Sequence, residues 1–367
     1  MADYDVAVAG GGPAGAATAL TLAKCGWRVL LADMSDTEAF RLGEGFAPVG
    51  HSLLRDLGML ERFLADQHRT SYGTVSAWGS DELQASDFIF NLQGRGYQLD
   101  RARFDAMLRQ AALEAGAKVQ EGMRLEPILD VVKPGSFRLC LRGDKPVREE
   151  LCNSQWLVDA TGRPASLARG FGAKRMAQDR LLAFWTLLDS TKIGDCDGRT
   201  LVESRPDGWW YSVLLPSGKR LAAFLTDADL ADRPALLSME KFRDKLDETI
   251  HLRQLCLEHG YDVSQKPRGA DASSARLNPV VGPGWLAVGD AAISFDPLSS
   301  QGILNALHTG IRAGKALDAA LRGNISALAE YAEHLAKIYA TYLGNRATFY
   351  AYERRWVDKE FWARRHP

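Results

Sequence analysis

Cysteine is scarce in this 367-residue sequence and is never set to work in pairs: Cys25, Cys140, Cys152, Cys196 and Cys256 are odd in number, scattered, and nowhere spaced C-x-x-C. Dithiol exchange and thiolate metal sites are thereby excluded, and buried, inert thiols are expected. Net charge is also lacking. Lys and Arg number 45 against 46 Asp and Glu, a balance of -1 that carries none of the basic footprint of a nucleic-acid binder. No run of about 18 apolar residues is present to span a bilayer, and no basic-then-apolar leader precedes the first strand-like segment, so no integral membrane segment and a cytoplasmic location are expected. Repeats and low-complexity tracts are missing. The seven histidines (His51, His68, His251, His259, His308, His334, His366) lie apart without metal spacing, so no metal site is expected and each is read as satisfied or solvated.

What is present reads as a large α/β protein. Residues 4 to 33 run strand, glycine turn, helix, strand, one βαβ unit ending at Asp33. The turn is Gly10-x-Gly12-Pro13-Ala14-Gly15. Its first glycine permits the tight turn, the second lets backbone N–H groups approach a pyrophosphate, and the third lets the helix pack closely on the strand. The helix N-terminus then faces the phosphates, and Asp33, with Met34 after it, is placed to receive a ribose hydroxyl. This predicts a dinucleotide without saying which one. A second element separates the candidates. Gly289-Asp290-Ala291-Ala292, then Asp296-Pro297-Leu298-Ser299-Ser300-Gln301-Gly302-Ile303 and an apolar helix, supplies a strand-end acid and a helix start suited to a flavin's electron-poor ring edge. A nicotinamide dehydrogenase has no use for it, so FAD is the expected cofactor.

Between these ends, Asp100 to Ala115 has helical spacing with Gly116 as its cap, and Lys118-Val119-Gln120 resumes a strand. Two β-rich stretches, Gly73 to Asn91 and Leu181 to Thr226, are assigned to an inserted substrate lobe, with helix over 235 to 259 and a strand over Trp285 to Asp290. The expected division is 1–72, 97–176 and 268–324 for the FAD-binding domain, 73–96 and 177–267 for the lobe, and 325–367 for C-terminal helices. Trp185, Trp210 and Tyr211, with Trp209, are candidates for an aromatic wall against a planar substrate, or for lobe core. Beyond Ser326, Tyr331, Tyr339, Tyr342, Phe349, Tyr350, Tyr352, Trp356, Phe361 and Trp362 are mixed with arginines, a composition that serves either a packed core or a partner surface.

Gly10 to Asp33, Asp100-Arg101-x-Arg103-Phe104-Asp105, Val158-Asp159-Ala160-Thr161-Gly162-Arg163 and Gly289 to Gly302 together resemble the FAD-dependent hydroxylases, geranylgeranyl reductases and tryptophan halogenases built on the p-hydroxybenzoate hydroxylase fold. The resemblance implies a Rossmann-like FAD-binding domain with an inserted β-rich substrate domain and C-terminal helices. It implies that Ala160, Thr161 and Gly162 run past the cofactor, that Arg101 approaches it, and that Gly43 and Glu44, after Arg41, lie against the flavin. Taken alone, Arg41, Arg101 and Arg163 read as solvated surface charges. Halogenases carry a W-x-W-x-I-P signature where this chain has Tyr211-Ser212-Val213-Leu214-Leu215-Pro216, so halogenation is disfavoured. In size and layout the chain resembles LodB-like and GoxB-like flavoproteins, which mature the tryptophan-derived quinone of amino-acid oxidases. That implies a monooxygenase acting on a tryptophan in a precursor oxidase. A small-molecule aromatic hydroxylase, a lipid reductase and a non-catalytic assembly factor are the alternatives. One glycine fingerprint leaves no dedicated nicotinamide domain, so NAD(P)H bound transiently, or a partner, is the expected electron donor. No acid–base constellation announces itself.

Overall fold

Val6 to Ala9 are all buried, which suits a strand covered on both faces. In the computed structural model, which describes residues 2–34, 40–88, 93–128, 136–144, 147–192 and 194–366, strand Ala2–Ala9 lies between two parallel neighbours. Val29–Asp33 flanks it on one side in the register Val6↔Val29, and Val147–Asp159 on the other, with Ala9 opposite Asp159. Lys118–Glu121 extends the sheet beyond Val29–Asp33, and Trp285–Ala287 extends it beyond Val147–Asp159. The ends of three consecutive central strands, Ala9, Asp33 and Asp159, therefore come to one edge, where an open parallel sheet binds its ligand.

Helix Pro13–Lys24 covers this sheet and is crossed by helix Gly302–Leu321. The crossing is close because Gly310 and Gly314 have no side chain: a Cβ at Gly310 would stand 2.4 Å from the Ala14 carbonyl oxygen, and one at Gly314 2.6 Å from Thr21 Cβ. Thr18 Oγ1 ties the pair, donating to Gly310 O at 3.1 Å. The expected strand over Trp285 to Asp290 is shorter. It stops at Ala287, and Gly289–Ala291 forms a 3₁₀ turn. Gly289 has φ +57° and sends its N–H to Thr309 Oγ1 rather than to a neighbouring strand.

The second large sheet runs Tyr261–Val263, Leu181–Ser190, Arg220–Asp227, Gly208–Leu214, Thr200–Arg205, Gly73–Ala77, Gln84–Asp87. Strand Arg268–Asp271 also pairs onto Leu181–Ser190, so this sheet continues past residue 267. Residues 89–92, at the end of the Gly73 to Asn91 stretch, lie outside the described residues. Both faces of the sheet are covered. Phe184, Trp210 and Phe224 share one face and pack on Phe242, Leu246 and Leu252 of helices Met239–Asp247 and His251–His259. Trp185, Trp209, Ala223 and Leu225 share the other with Tyr350, Phe361 and Trp362.

The C-terminal aromatics are mainly core. Tyr331, Tyr339, Tyr342, Tyr350, Phe361 and Trp362 are buried. Tyr331 in helix Ser326–Ala351 donates to Ala287 O of the main sheet, and Trp362 Nε1 donates to Arg205 O of the second. Phe349 and Tyr352 are exposed. Two further expectations are corrected. Cys25 and Cys196 are exposed whereas Cys140, Cys152 and Cys256 are buried. His308 and His334, read as lying apart, meet with Nε2 atoms 2.9 Å apart, because helices Gly302–Leu321 and Ser326–Ala351 pack side by side. No helix among the described residues is long and apolar enough to cross a membrane.

Candidate functional site

The glycine turn shows three different constraints. A Cβ at Gly10, whose φ is +107°, would lie 2.2 Å from Ala160 O, and one at Gly15 would lie 1.9 Å from Gly10 O. At Gly12 a Cβ would meet nothing within 4 Å. Gly10 and Gly15 thus serve packing, while Gly12 leaves open space in front of the helix. That space belongs to a cavity of about 750 Å³ lined by Gly10, Gly12, Asp33, Met34, Arg41 and the turn Ala160–Thr161–Gly162. Gly12 caps helix Pro13–Lys24 without a side-chain acceptor, so the first-turn N–H groups beyond Pro13 are left for an anion. Asp33 is buried at the cavity edge, 3.6 Å from Arg41 and 3.7 Å from Arg109. Asp159 shapes the opposite lip: Oδ1 accepts from Thr161 N at 3.0 Å and Thr161 Oγ1 at 2.6 Å, and Oδ2 from Ala168 N at 2.8 Å. An open space where a Cβ would intrude, beside unspent backbone donors and a strand-end acid, fits the diphosphate and ribose of FAD.

A second cavity, about 200 Å³, lies where helix Gly302–Leu321 begins. Pro297, Ser300, Gln301, Gly302 and Ile303 form one wall, Gly43, Glu44 and Asp290 a second, and Tyr211 and Ala223 the lobe side. Ser300 turns at φ +50°, and Gln301 caps the helix without a side-chain bond, so the helix again presents free N–H groups to the cavity. Asp296 anchors this loop from behind. Its Oδ2 accepts from Tyr350 Oη at 2.7 Å, and its N–H donates to Tyr342 Oη at 2.8 Å. Burial pushes the carboxyls of Asp290 and Asp296 up, against the pull of Arg163 on the first and Arg346 on the second.

The three arginines are not solvated. Arg41 pairs with Asp105 at 2.8 Å. Arg101 donates to Leu42 O at 2.7 Å and Gly43 O at 3.0 Å while pairing with Asp105, so it shapes the Gly43–Glu44 turn. Arg163 donates to Ser273 O and Phe295 O and stands 3.5 Å from Asp290. Each meets partners from distant segments, which spacing along the chain does not reveal.

The aromatic wall is corrected in part. Trp210 stands opposite Phe224 and Tyr211 opposite Ala223, so the two point to different faces. Trp210 is buried against the helices, away from the cavity. Trp185 shares the cavity face but packs on Phe40, with ring centroids 5.1 Å apart, and beneath Arg268. Tyr211 lines the cavity, and the rest of the lobe wall is Leu225, Asp271 and four alanines, Ala183, Ala223, Ala270 and Ala272. These alanines, missed from the sequence, make the room. They come from or adjoin three separate strands and leave no local signal in the sequence. Among the described residues no group of three or more His, Cys, Asp or Glu is placed to hold a metal.

Residues 3–340 match the family described as FAD binding domain. The chain belongs to that family. Within it, the chain is 32% identical over 374 residues to the FAD-dependent oxidoreductase LodB of Marinomonas mediterranea, covering all of this chain and 98% of that one. It is 27% identical to a 1H-pyrrole-2-carbonyl-[peptidyl-carrier protein] brominase of Pseudoalteromonas luteoviolacea, over 88% of this chain and 79% of the relative. Two solved structures share the fold. The myxobacterial chondrochloren halogenase CndH has a TM-score of 0.90 at 20% identity, covering all of this chain and 86% of that one. The peptidyl tryptophan dihydroxylase QhpG has a TM-score of 0.78 at 24% identity, covering 99% and 79%. The protein is an FAD-dependent oxidoreductase, an α/β flavoprotein with the fold expected from its motifs.

Proposed function

We propose that the protein is an FAD-dependent monooxygenase that hydroxylates a tryptophan within a precursor oxidase during formation of a tryptophan-derived quinone cofactor. The observation that carries this reading is the second cavity, where the flavin-loop residues face Tyr211, Leu225 and four alanines of the lobe. The full-length likeness to LodB supports it, as does the shared fold of QhpG, a peptidyl tryptophan dihydroxylase essential for tryptophylquinone cofactor biogenesis. FAD is held by Gly10, Gly12, Pro13, Ala14 and Gly15 at its diphosphate and by Asp33, with Met34, Arg41 and Ala160 to Gly162 alongside. Gly289, Asp290, Pro297 and Ser300 to Ile303, with Gly43, Glu44 and Arg101, receive the flavin. When bound, FAD supplies two electrons to molecular oxygen. The chain's residues hold the ring against it and exclude water. Reduced nicotinamide bound transiently, or a partner, is the electron donor, and the reaction takes place in the cytoplasm.

The halogenase relatives favour a second reading, halide oxidation and ring halogenation. The lobe strand argues against it, with Tyr211 and Val213 where halogenases carry tryptophans. Co-production with a precursor oxidase, followed by peptide mass spectrometry, separates the two. An oxygenated tryptophan that is absent with a Gly12→Glu flavoprotein is expected. A halogenated residue in chloride or bromide buffer supports the second reading, and an unmodified tryptophan removes both.

A further inference from the structure

Among the described residues, three buried acids show how such groups are satisfied here. Glu203 accepts from the N–H groups of Ile250, His251 and Leu252, Asp159 from three donors, and Asp227 from the Arg365 guanidinium. Glu44 is only 1% exposed; Tyr211 Oη donates to its Oε1 at 2.5 Å, and the backbone N–H groups of Gly43 and Glu44 also act on the carboxylate. Among the described residues its Oε2 has no partner. Arg101 is the nearest cation, and its guanidinium is committed to Leu42 O, Gly43 O and Asp105. A carboxylate stripped of water and left with one oxygen unspent is expensive, and it demands an explanation. Both members of the pair line the second cavity, beside the flavin-loop residues.

The geometry points to Glu44 as the proton acceptor of the oxygenation and to Tyr211 as the residue that positions its carboxylate. This rests on the monooxygenase reading. In such a reaction one atom of molecular oxygen bonds to a ring carbon and the other leaves as water. The two electrons come from FAD reduced by nicotinamide, and solvent supplies one further proton. The ring carbon that gains oxygen must then lose its hydrogen as a proton, the C–H bonding pair returning to the aromatic system. Glu44 Oε2 takes that proton, while the Tyr211 hydroxyl stays on Oε1 and fixes the carboxylate plane. Burial raises the Glu44 carboxyl above its ordinary range, which strengthens it as a base, and the Tyr211 hydrogen bond and Arg101 pull it back. Arg163, Asp271, Asp290 and Asp296 are the other charged groups on the same cavity.

The test uses FAD-loaded protein with NADPH, oxygen and the precursor oxidase. In Glu44→Gln, tryptophan oxygenation normalised to bound FAD is expected to fall by about 100-fold or more. Tyr211→Phe removes the donor that stabilises the carboxylate, so the acid limb of the kcat/KM profile should move to higher pH by roughly one unit. The infrared carboxyl band of Glu44, titrated in FAD-loaded protein without substrate, should move in the same direction. Oxygenation by Glu44→Gln at the wild-type rate, or an unmoved profile and band in Tyr211→Phe, overturns the assignment. If Glu44→Gln fails to retain FAD, the Tyr211→Phe profile and band decide alone. A wild-type protein that oxygenates no tryptophan defeats the monooxygenase reading instead, and the infrared titration still reads the pair independently.

Discussion

Replacing two glycines of the same turn by alanine should separate cofactor binding from folding. At Gly12 the backbone is extended, with φ -70° and ψ -178°, and an added methyl meets nothing within 4 Å. Alanine at an N-cap loses a few tenths to about 1 kcal/mol relative to glycine, and restricting the unfolded chain returns about 0.4–1 kcal/mol. The flavin-free protein should therefore melt close to wild type. The same methyl fills the space in front of the first helical turn. Losing hydrogen bonds to a charged diphosphate, together with its approach to the helix N-terminus, costs about 2–3 kcal/mol, a Kd weaker by roughly 30- to 150-fold. At Gly15 the methyl would stand 1.9 Å from the Gly10 carbonyl oxygen, a backbone atom that cannot step aside. Strain of at least about 3 kcal/mol then falls on the apoprotein itself. Chemical denaturation of flavin-free samples and FAD titration followed by flavin fluorescence measure the two quantities separately. A Gly12→Ala protein that binds FAD as tightly as wild type, or that loses as much apoprotein stability as Gly15→Ala, refutes the division of labour.

Two further outcomes follow from packing and charge. Trp362→Ala should cost about 3–5 kcal/mol, because the indole is fully buried and its Nε1 is bonded to Arg205 O. Truncation from about residue 350 should accordingly give aggregated, flavin-free material, and a soluble yellow truncation would contradict the core placement of these aromatics. Burial holds His308 and His334 below their ordinary value of about 6.5, helped at His308 by His334 and Arg312 and at His334 by Arg312 and Lys337. The unfolded chain therefore binds more protons than the folded one, so this contribution to stability is complete above about pH 6.5 and is lost as pH falls through the depressed values. Denaturation midpoints against pH should show an acid limb that flattens in His334→Gln, and an unchanged limb would remove the pair as its cause.

The motifs of the proposed cofactor half were legible because their constraints are local. Gly10 to Gly15, Asp33 and the segment from Gly289 to Ile303 each carry their constraint within a few residues, and the strand, turn and helix around them have the expected periods. The substrate half was not legible in the same way. The strand Gly208–Leu214 is covered on both faces, so the alternation that separates inside from outside in a half-exposed strand is absent. Trp210 and Tyr211 looked equivalent, and only pairing with Phe224 and Ala223 assigns them to opposite sides. The partners of Arg41, Arg101 and Arg163 come from other segments and leave no mark at the arginines themselves. Glu44 was visible as part of a turn beside the flavin, but its short bond to a residue 167 positions away was beyond local reading. Gly310 and Gly314 looked like ordinary residues of an apolar helix until the opening helix was laid across them.

That crossing sets a schedule for making the holoprotein. Thr18 and Gly310, which touch, are 292 residues apart in the chain. At translation speeds of about 5–20 residues per second, the opening helix waits roughly 15–60 s for its partner. During that interval its alanine-rich side, including Ala14 and Ala17, has nothing to cover it, and the loop that completes the second cavity does not yet exist. The Asp296 anchor requires Tyr342 and Tyr350, which emerge later still. The two cavities proposed for FAD are consequently complete only in finished chains.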